Sequence, residues 1–293
     1  MMQTAFDEVP VHRQIYARQM LARAFVDHDL RLELVLSRVA REDFLGPPPW
    51  HIRDHDGYRA LPSTDPVVLY QDVLVALDPA RAVNNGSPSL HAGLLHRLDV
   101  KEGEHVVHLG AGSGYYTAIL AELVGPSGRV TALEYDQVLA EQAREALAAY
   151  PWVDVRQGNA LEWQGENADA IYVNFALDHP PAGWIDALAE RGRLIFPFGV
   201  PMLDEAGRPA STTARAGILL LERNGEAIAA RFLQAVSFVW AEATETVPGR
   251  HEGLMAAFRA GGHRKVRSLR RGPVPDEAEW YGESEWGLSC REV

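Results

Sequence analysis

The apolar positions of this chain change period several times, and each change marks an element. Between residue 11 and about 45, Ile15, Leu21, Phe25, Leu30, Leu34, Val35 and Val39 recur at helical spacing. Gly46-Pro-Pro-Pro-Trp50 ends that region, since consecutive prolines are stiff and extended. A polar, histidine-bearing loop (51–64) leads to Val67–Leu77, a dense apolar run that predicts a strand. Ser87-Pro88 reads as an N-cap and first helical residue, opening a helix to about Leu98. Beyond it the pattern alternates. Strands are expected at His105–Leu109, Arg129–Glu134, Trp152–Arg156, Ala170–Val173 and Arg193–Pro197. Helices are expected at Thr117–Val124, Gln137–Ala149 and Ala182–Glu190. Ile218–Phe232 carries Asn224-Gly225 at its centre, a strong hairpin signal. Alternating β and α elements that close on a hairpin predict an α/β fold: a doubly wound, mostly parallel sheet with an antiparallel C-terminal hairpin. An N-terminal helical and extended region (1–80), a central domain (81–245) and a C-terminal tail (246–293) are the expected divisions. The tail's Trp280, Tyr281 and Trp286 should pack on the body.

The junction between the first strand and helix of the central domain carries the chemistry. His105–Leu109 runs into Gly110-Ala-Gly-Ser-Gly114, where glycines permit a tight turn and let a ligand approach bare backbone. The next strand ends in Glu134, placed to accept hydrogen bonds from a ribose diol. The dinucleotide fingerprint Gly-x-Gly-x-x-Gly is not met. Tyr115-Tyr116 fills the place of its third glycine, and two rings at the mouth would obstruct a pyrophosphate. That favours S-adenosylmethionine, a cofactor without phosphate, over NAD.

Composition narrows the partners. The 293 residues carry a formal net charge of −12, which disfavours nucleic-acid backbones and anionic membranes. Arg264-Lys-Val-Arg-Ser-Leu-Arg-Arg271 is locally basic and reads as a solvated stretch. A single cysteine, Cys290, fits a reducing cytoplasm, and neither a signal peptide nor an apolar run of about 18 residues is evident. His251-Glu252 lacks a second histidine four residues on, and His51, His55 and His96 show no ligand spacing, so no metal is expected.

From about Leu21 to Trp240 the chain resembles the protein-L-isoaspartate O-methyltransferase family, a branch of the Rossmann-like methyltransferases. The resemblance rests on Pro88–Gly103 ahead of the glycine turn, on Tyr70-Gln-Asp72, on Ala168-Asp-Ala-Ile171 and on Gly192–Gly199. It implies a carboxyl O-methyltransferase using S-adenosylmethionine. The departures fall at the site. Where the family reads Thr-Ile-Ser, with the serine taken as its active-site residue, this chain has Asn84, Asn85 and Gly86. His108 replaces an acidic residue, Gly158-Asn159-Ala160 replaces Gly-Asp-Gly, and Asn174-Phe175 replaces small residues.

A carboxylate acceptor is ionised at neutral pH and needs orientation, with no general base. The amides of Asn84–Ser87 and a helix N-terminus would suit such an anion. Ser87 and Asn85 are therefore the candidate catalytic residues. The cofactor is expected against Asn84, Gly86, His91, His108, Gly110, Ala111, Gly112, Ser113, Gly114, Tyr115, Glu134, Tyr135, Asn159, Ala160 and Asn174. Several have plain alternatives: Glu134 as a solvated strand end, Asn84-Asn85 and Asn159 as turn formers, His91 and His108 as packed histidines. Asp178-His179 resembles an acid/base pair, but adjacent side chains are expected to point apart. Because the family serine is absent, weak or no methylation of isoaspartyl peptides is expected. The acceptor is then another carboxylate on a peptide, protein or small molecule. A non-catalytic protein keeping the fold and a dinucleotide-dependent oxidoreductase are the alternatives.

Overall fold

A computed structural model describes residues 8–293 apart from 166, 243, 245–246 and 274–276. The chain divides into two compact units: residues 8–104 with 111–158, and residues 105–110 with 159–293.

In the first unit, α1 (Val9–Arg23) and α2 (Leu30–Arg38) form the expected helical region. Asp29 caps α2, its carboxylate accepting from Leu32 N at 3.0 Å. The hairpin of β1 (His51–Asp54) and β2 (Gly57–Ala60) follows. The apolar run at 67–77 is not one strand. Asp65 and Pro66 start a 3-10 turn over Pro66–Leu69, and Leu69 and Val75 are fully buried against Leu45 and Trp50. Strand geometry survives at β3 (Ala76–Asp78), which pairs with β4 (Val83–Asn84). Burying each such aliphatic side chain is worth about 1.5–3 kcal/mol, more than a short strand's local preference.

Helix α3 (Pro88–Leu98) starts as expected, Ser87 Oγ accepting from Leu90 N. Strand β5 (His105–Leu109) belongs to the second unit. Helix α4 (Tyr115–Val124), strand β6 (Arg129–Glu134), helix α5 (Gln137–Ala146) and strand β7 (Val153–Gln157) complete the first unit, with β6 and β7 parallel.

In the second unit, β5 pairs in parallel with β8 (Ala168–Val173), and β8 in parallel with β9 (Leu188–Leu203). Val106, Val107, Leu109 and Ala170–Val173 are fully buried, the continuous apolar pattern of a parallel strand covered on both faces. The helix expected over 182–190 stops early, as α6 (Ala182–Asp186). Ala187 O then accepts from Ala168 N, starting β9. Gly192 is required there: a Cβ would lie 2.8 Å from Ala189 O and 2.9 Å from Ala168 O.

The hairpin expected at Asn224-Gly225 joins β10 (Pro209–Asn224) to β11 (Ala227–Val236). The C-terminal tail is built of α7 (Arg250–Ala260), β12 (Ser268–Arg271), β13 (Glu279–Gly282) and β14 (Trp286–Ser289). Strands β12 and β14 extend the antiparallel ladder from β11. Its aromatic residues pack as expected: Trp280 lies 5.1 Å from Phe258 and 5.4 Å from Phe232, and Trp286 5.9 Å from Phe198, between ring centroids. The fold is the α/β class read from the sequence. No helix of the described residues is long and apolar enough to cross a membrane.

Candidate active site

The glycine turn is held by the Glu134 carboxylate, which the sequence places against a ribose diol. Gly112 adopts φ +56° and donates its amide to Glu134 Oε2 at 2.7 Å, while Oε1 accepts from Asp136 N at 2.9 Å. Burial pushes the Glu134 carboxyl above its ordinary value, against the lowering effect of those amides and that of Tyr135. A carboxylate has about four acceptor positions, so these amides still leave capacity for a ligand hydroxyl. A Cβ at Gly112 would meet Leu77 Cδ1 at 3.2 Å, and one at Gly114 would meet Leu147 Cδ1 at 2.9 Å. Ala111 anchors the turn through its amide to Leu133 O at 3.0 Å. Ser113 Oγ is buried and, among the described residues, has no partner. Tyr135 is exposed beside Glu134.

Tyr115 corrects one expectation. It is not at the mouth of the turn but almost fully buried, 5.9 Å from Phe44 and 5.0 Å from Tyr116 between ring centroids. Tyr116 stacks on His91 at 3.8 Å. The cause is position: both tyrosines start α4, whose first turns face apolar neighbours. Their rings therefore say nothing against a pyrophosphate.

The Asn84–Ser87 segment also differs from its reading as a row of anion-facing amides. Asn85 N donates to Val75 O at 3.0 Å, and Gly86 N to Asn84 Oδ1 at 2.8 Å. Ser87 Oγ is likewise committed. It caps α3 and donates to Asp72 Oδ1 at 3.0 Å. Asp72 also takes Ser89 N, Ser89 Oγ and Arg23 Nε. Burial alone would raise the Asp72 carboxyl, but these bonds hold it below its ordinary value. Gly86 has φ +75°, and a Cβ there would lie 2.1 Å from His91 Nε2. The imidazole thus occupies the space a serine side chain would need.

Asn85, 7% exposed, is placed by a residue that sequence reasoning missed. Arg41 is fully buried and donates to Leu69 O, Gln71 O, Val73 O and Asn85 Oδ1, the last at 3.0 Å. Nothing local distinguishes Arg41 from the other arginines of that region, so its burial is a tertiary fact.

In the second unit, His108 is fully buried and its Nε2 lies 2.8 Å from Asn174 Nδ2. The amide donates, so that nitrogen is unprotonated. Burial pushes the imidazole down to about 3, fixing it neutral. Gly110 adopts φ +78°, with Phe175 Cδ1 2.7 Å from where its Cβ would be. Asn159 caps the short turn after it, its Oδ1 accepting from Leu161 N and its Nδ2 donating to Glu162 Oε1. Ala160 is buried, and its carbonyl accepts from Trp184 Nε1 at 2.9 Å.

Asp178 and His179 do not point apart. His179 Nδ1 lies 2.7 Å from Asp178 Oδ1, and His251 Nε2 lies 2.9 Å from Asp178 Oδ2. Arg250 reaches Asp178 Oδ1 at 3.3 Å and grips Glu283 with two nitrogens. Among the described residues, no three His, Cys, Asp or Glu side chains are grouped to hold a metal ion.

The sequence model described as protein-L-isoaspartate(D-aspartate) O-methyltransferase matches residues 63–210. Protein-L-isoaspartate O-methyltransferase 2 of Archaeoglobus fulgidus is 34% identical over 174 residues, covering 58% of this chain and 75% of that protein. The protein-L-isoaspartate O-methyltransferase of Aeropyrum pernix is 40% identical over 141 residues, covering 46% of this chain and 54% of its own. A solved protein-L-isoaspartate O-methyltransferase superposes with a TM-score of 0.62 at 19% identity, over 88% of this chain and 72% of its own. A Plasmodium falciparum structure, described under the same activity and in complex with S-adenosyl-L-homocysteine, gives 0.61 at 20% identity, over 79% and 99%. These two likenesses establish the fold.

Proposed function

We infer the reaction from one premise: the chain belongs to the protein-L-isoaspartate O-methyltransferase family. It is an S-adenosylmethionine-dependent carboxyl O-methyltransferase. The observation that supports this reading most directly is the buried Glu134 carboxylate, clamped to the glycine turn through Gly112 with acceptor capacity to spare. Glu134 would hold the cofactor's ribose diol. The positive-φ glycines would admit its methionine end, with Ser113 Oγ a donor that lacks a partner among the described residues. When bound, S-adenosylmethionine supplies an electrophilic methyl group on a sulfonium.

The chain's own task is alignment and exclusion of water. The acceptor carboxylate is ionised, with a reference value near about 4, so no side chain has to take a proton from it. Ser87 we assign to capping α3, given its bonds to Leu90 N and Asp72. Ser87→Ala should cost about 1 kcal/mol of stability in thermal unfolding and leave turnover intact. With His91 in the space of the family serine, we propose that the acceptor is a carboxylate other than a generic isoaspartyl side chain. Methyl incorporation from S-adenosylmethionine into an isoaspartyl peptide should be weak. Robust incorporation by the wild-type protein would refute the altered acceptor and leave the methyltransferase reading standing.

A further inference from the structure

We propose that the Asn85 side-chain amide, backed by Arg41, is the anchoring donor for a carboxylate oxygen in this active site. The inference deepens the methyltransferase reading and rests on it. Arginine has five N–H groups and no acceptor, so the Asn85 atom facing Arg41 Nη2 must be the carbonyl oxygen. That contact fixes the amide and leaves Nδ2 to point elsewhere. Nδ2 is buried and has no partner among the described residues, a state that costs about 1–3 kcal/mol unless something fills it.

A second observation concerns charge. Arg41 is fully buried, and among the described residues no carboxylate stands within salt-bridge distance of its guanidinium. Its four acceptors are three backbone carbonyls and the Asn85 amide. A buried cation without a counter-anion, beside a buried donor without an acceptor, calls for an anionic oxygen. The backbone amides of Asn85 and Gly86 are already used, so the side-chain amide carries this role. Arg41 acts through Asn85 and is a positioning residue. The carboxylate belongs either to the methionine end of the cofactor or to the methyl acceptor.

Asn85→Asp separates this role from a structural one. The new carboxylate can still accept from Arg41 and gives the cation an internal partner, so the melting temperature should hold or rise. The donor is lost and a like charge faces the ligand, so binding should weaken at least tenfold. S-adenosylhomocysteine and methylthioadenosine, which lacks the carboxylate, are titrated calorimetrically, and methyl incorporation into an isoaspartyl peptide is measured alongside. A loss confined to S-adenosylhomocysteine supports the cofactor's carboxylate. Unchanged S-adenosylhomocysteine affinity with a raised peptide KM supports the acceptor's. Arg41→Lys should give a smaller loss that does not add to that of Asn85→Ala. If Asn85→Asp leaves both the S-adenosylhomocysteine affinity and peptide KM within twofold of wild type, the proposal falls and the amide holds structural water. Should the wild type leave the peptide unmethylated, the S-adenosylhomocysteine arm decides alone. A wild-type protein that binds no S-adenosylhomocysteine overturns the methyltransferase reading, and this proposal with it.

Discussion

Glu134 and Asp178 are both buried carboxylates, and their surroundings drive them in opposite directions. Glu134 meets the backbone amides of Gly112, Asp136 and Tyr135 and, among the described residues, no cation, so burial dominates and its carboxyl is raised. Asp178 is desolvated too, but His179, Arg250 and His251 outweigh that and hold it below the ordinary range. Backbone dipoles position a carboxylate without saturating it, whereas an arginine and two histidines spread over both oxygens consume it. The first arrangement suits a group that must still receive a ligand. The second ties the segment after β8 to helix α7.

The comparison can be broken most sharply at Gly112. Gly112→Val places a branched side chain at φ +56° against Leu77 and disturbs the amide that Glu134 holds. Cofactor binding should fall below detection by calorimetry while circular dichroism shows a folded protein. Asp178→Ala should do the reverse. It leaves Arg250 and two histidines facing an uncompensated void, costing about 3 kcal/mol in denaturant unfolding, with cofactor affinity unchanged. Glu134→Gln is milder: it weakens charge-assisted hydrogen bonds to the diol, and affinity should drop roughly tenfold. Unchanged affinity would remove Glu134 from the site.

The smallest effect is a separation along the pH axis. Because Glu134 is raised, it protonates above the ordinary glutamate range as pH falls, and diol binding is lost there. Asp178 is lowered, so its contribution to stability is complete above the unfolded aspartate value of about 3.9 and fades as pH drops through the lower folded value. Calorimetry and thermal melts on one acid titration should therefore show affinity falling before stability.

Much of this was legible in the sequence, and what was missed has a common cause. The strands at 105–109 and 129–134, the Ser87 cap and the Asn224-Gly225 turn all announce themselves through local pattern. The apolar run at 67–77 did not, because burial beside Trp50 and Leu45 overrides its strand preference. Nor did the end of α6, which is set by the pairing of Ala168 with Leu188 across the sheet. At the site, glycines and Glu134 follow from spacing, whereas Arg41 and the bonding of His251 to Asp178 depend on distant segments meeting. Tyr115 shows the limit most clearly: its place in the sequence suggested a rim, and its packing against Phe44 made it core.

The imidazole lodged against Gly86 also orders the mutational routes open to this protein. A serine regained at 86 would have to displace the imidazole, since the new Cβ would overlap His91 Nε2 on a backbone already at φ +75°. Whether the ring swings aside or position 91 shrinks, the stacking on Tyr116 is given up for the hydroxyl. The histidine thus acts as a brake on the return of a side chain at 86, at the cost of its own ring contact.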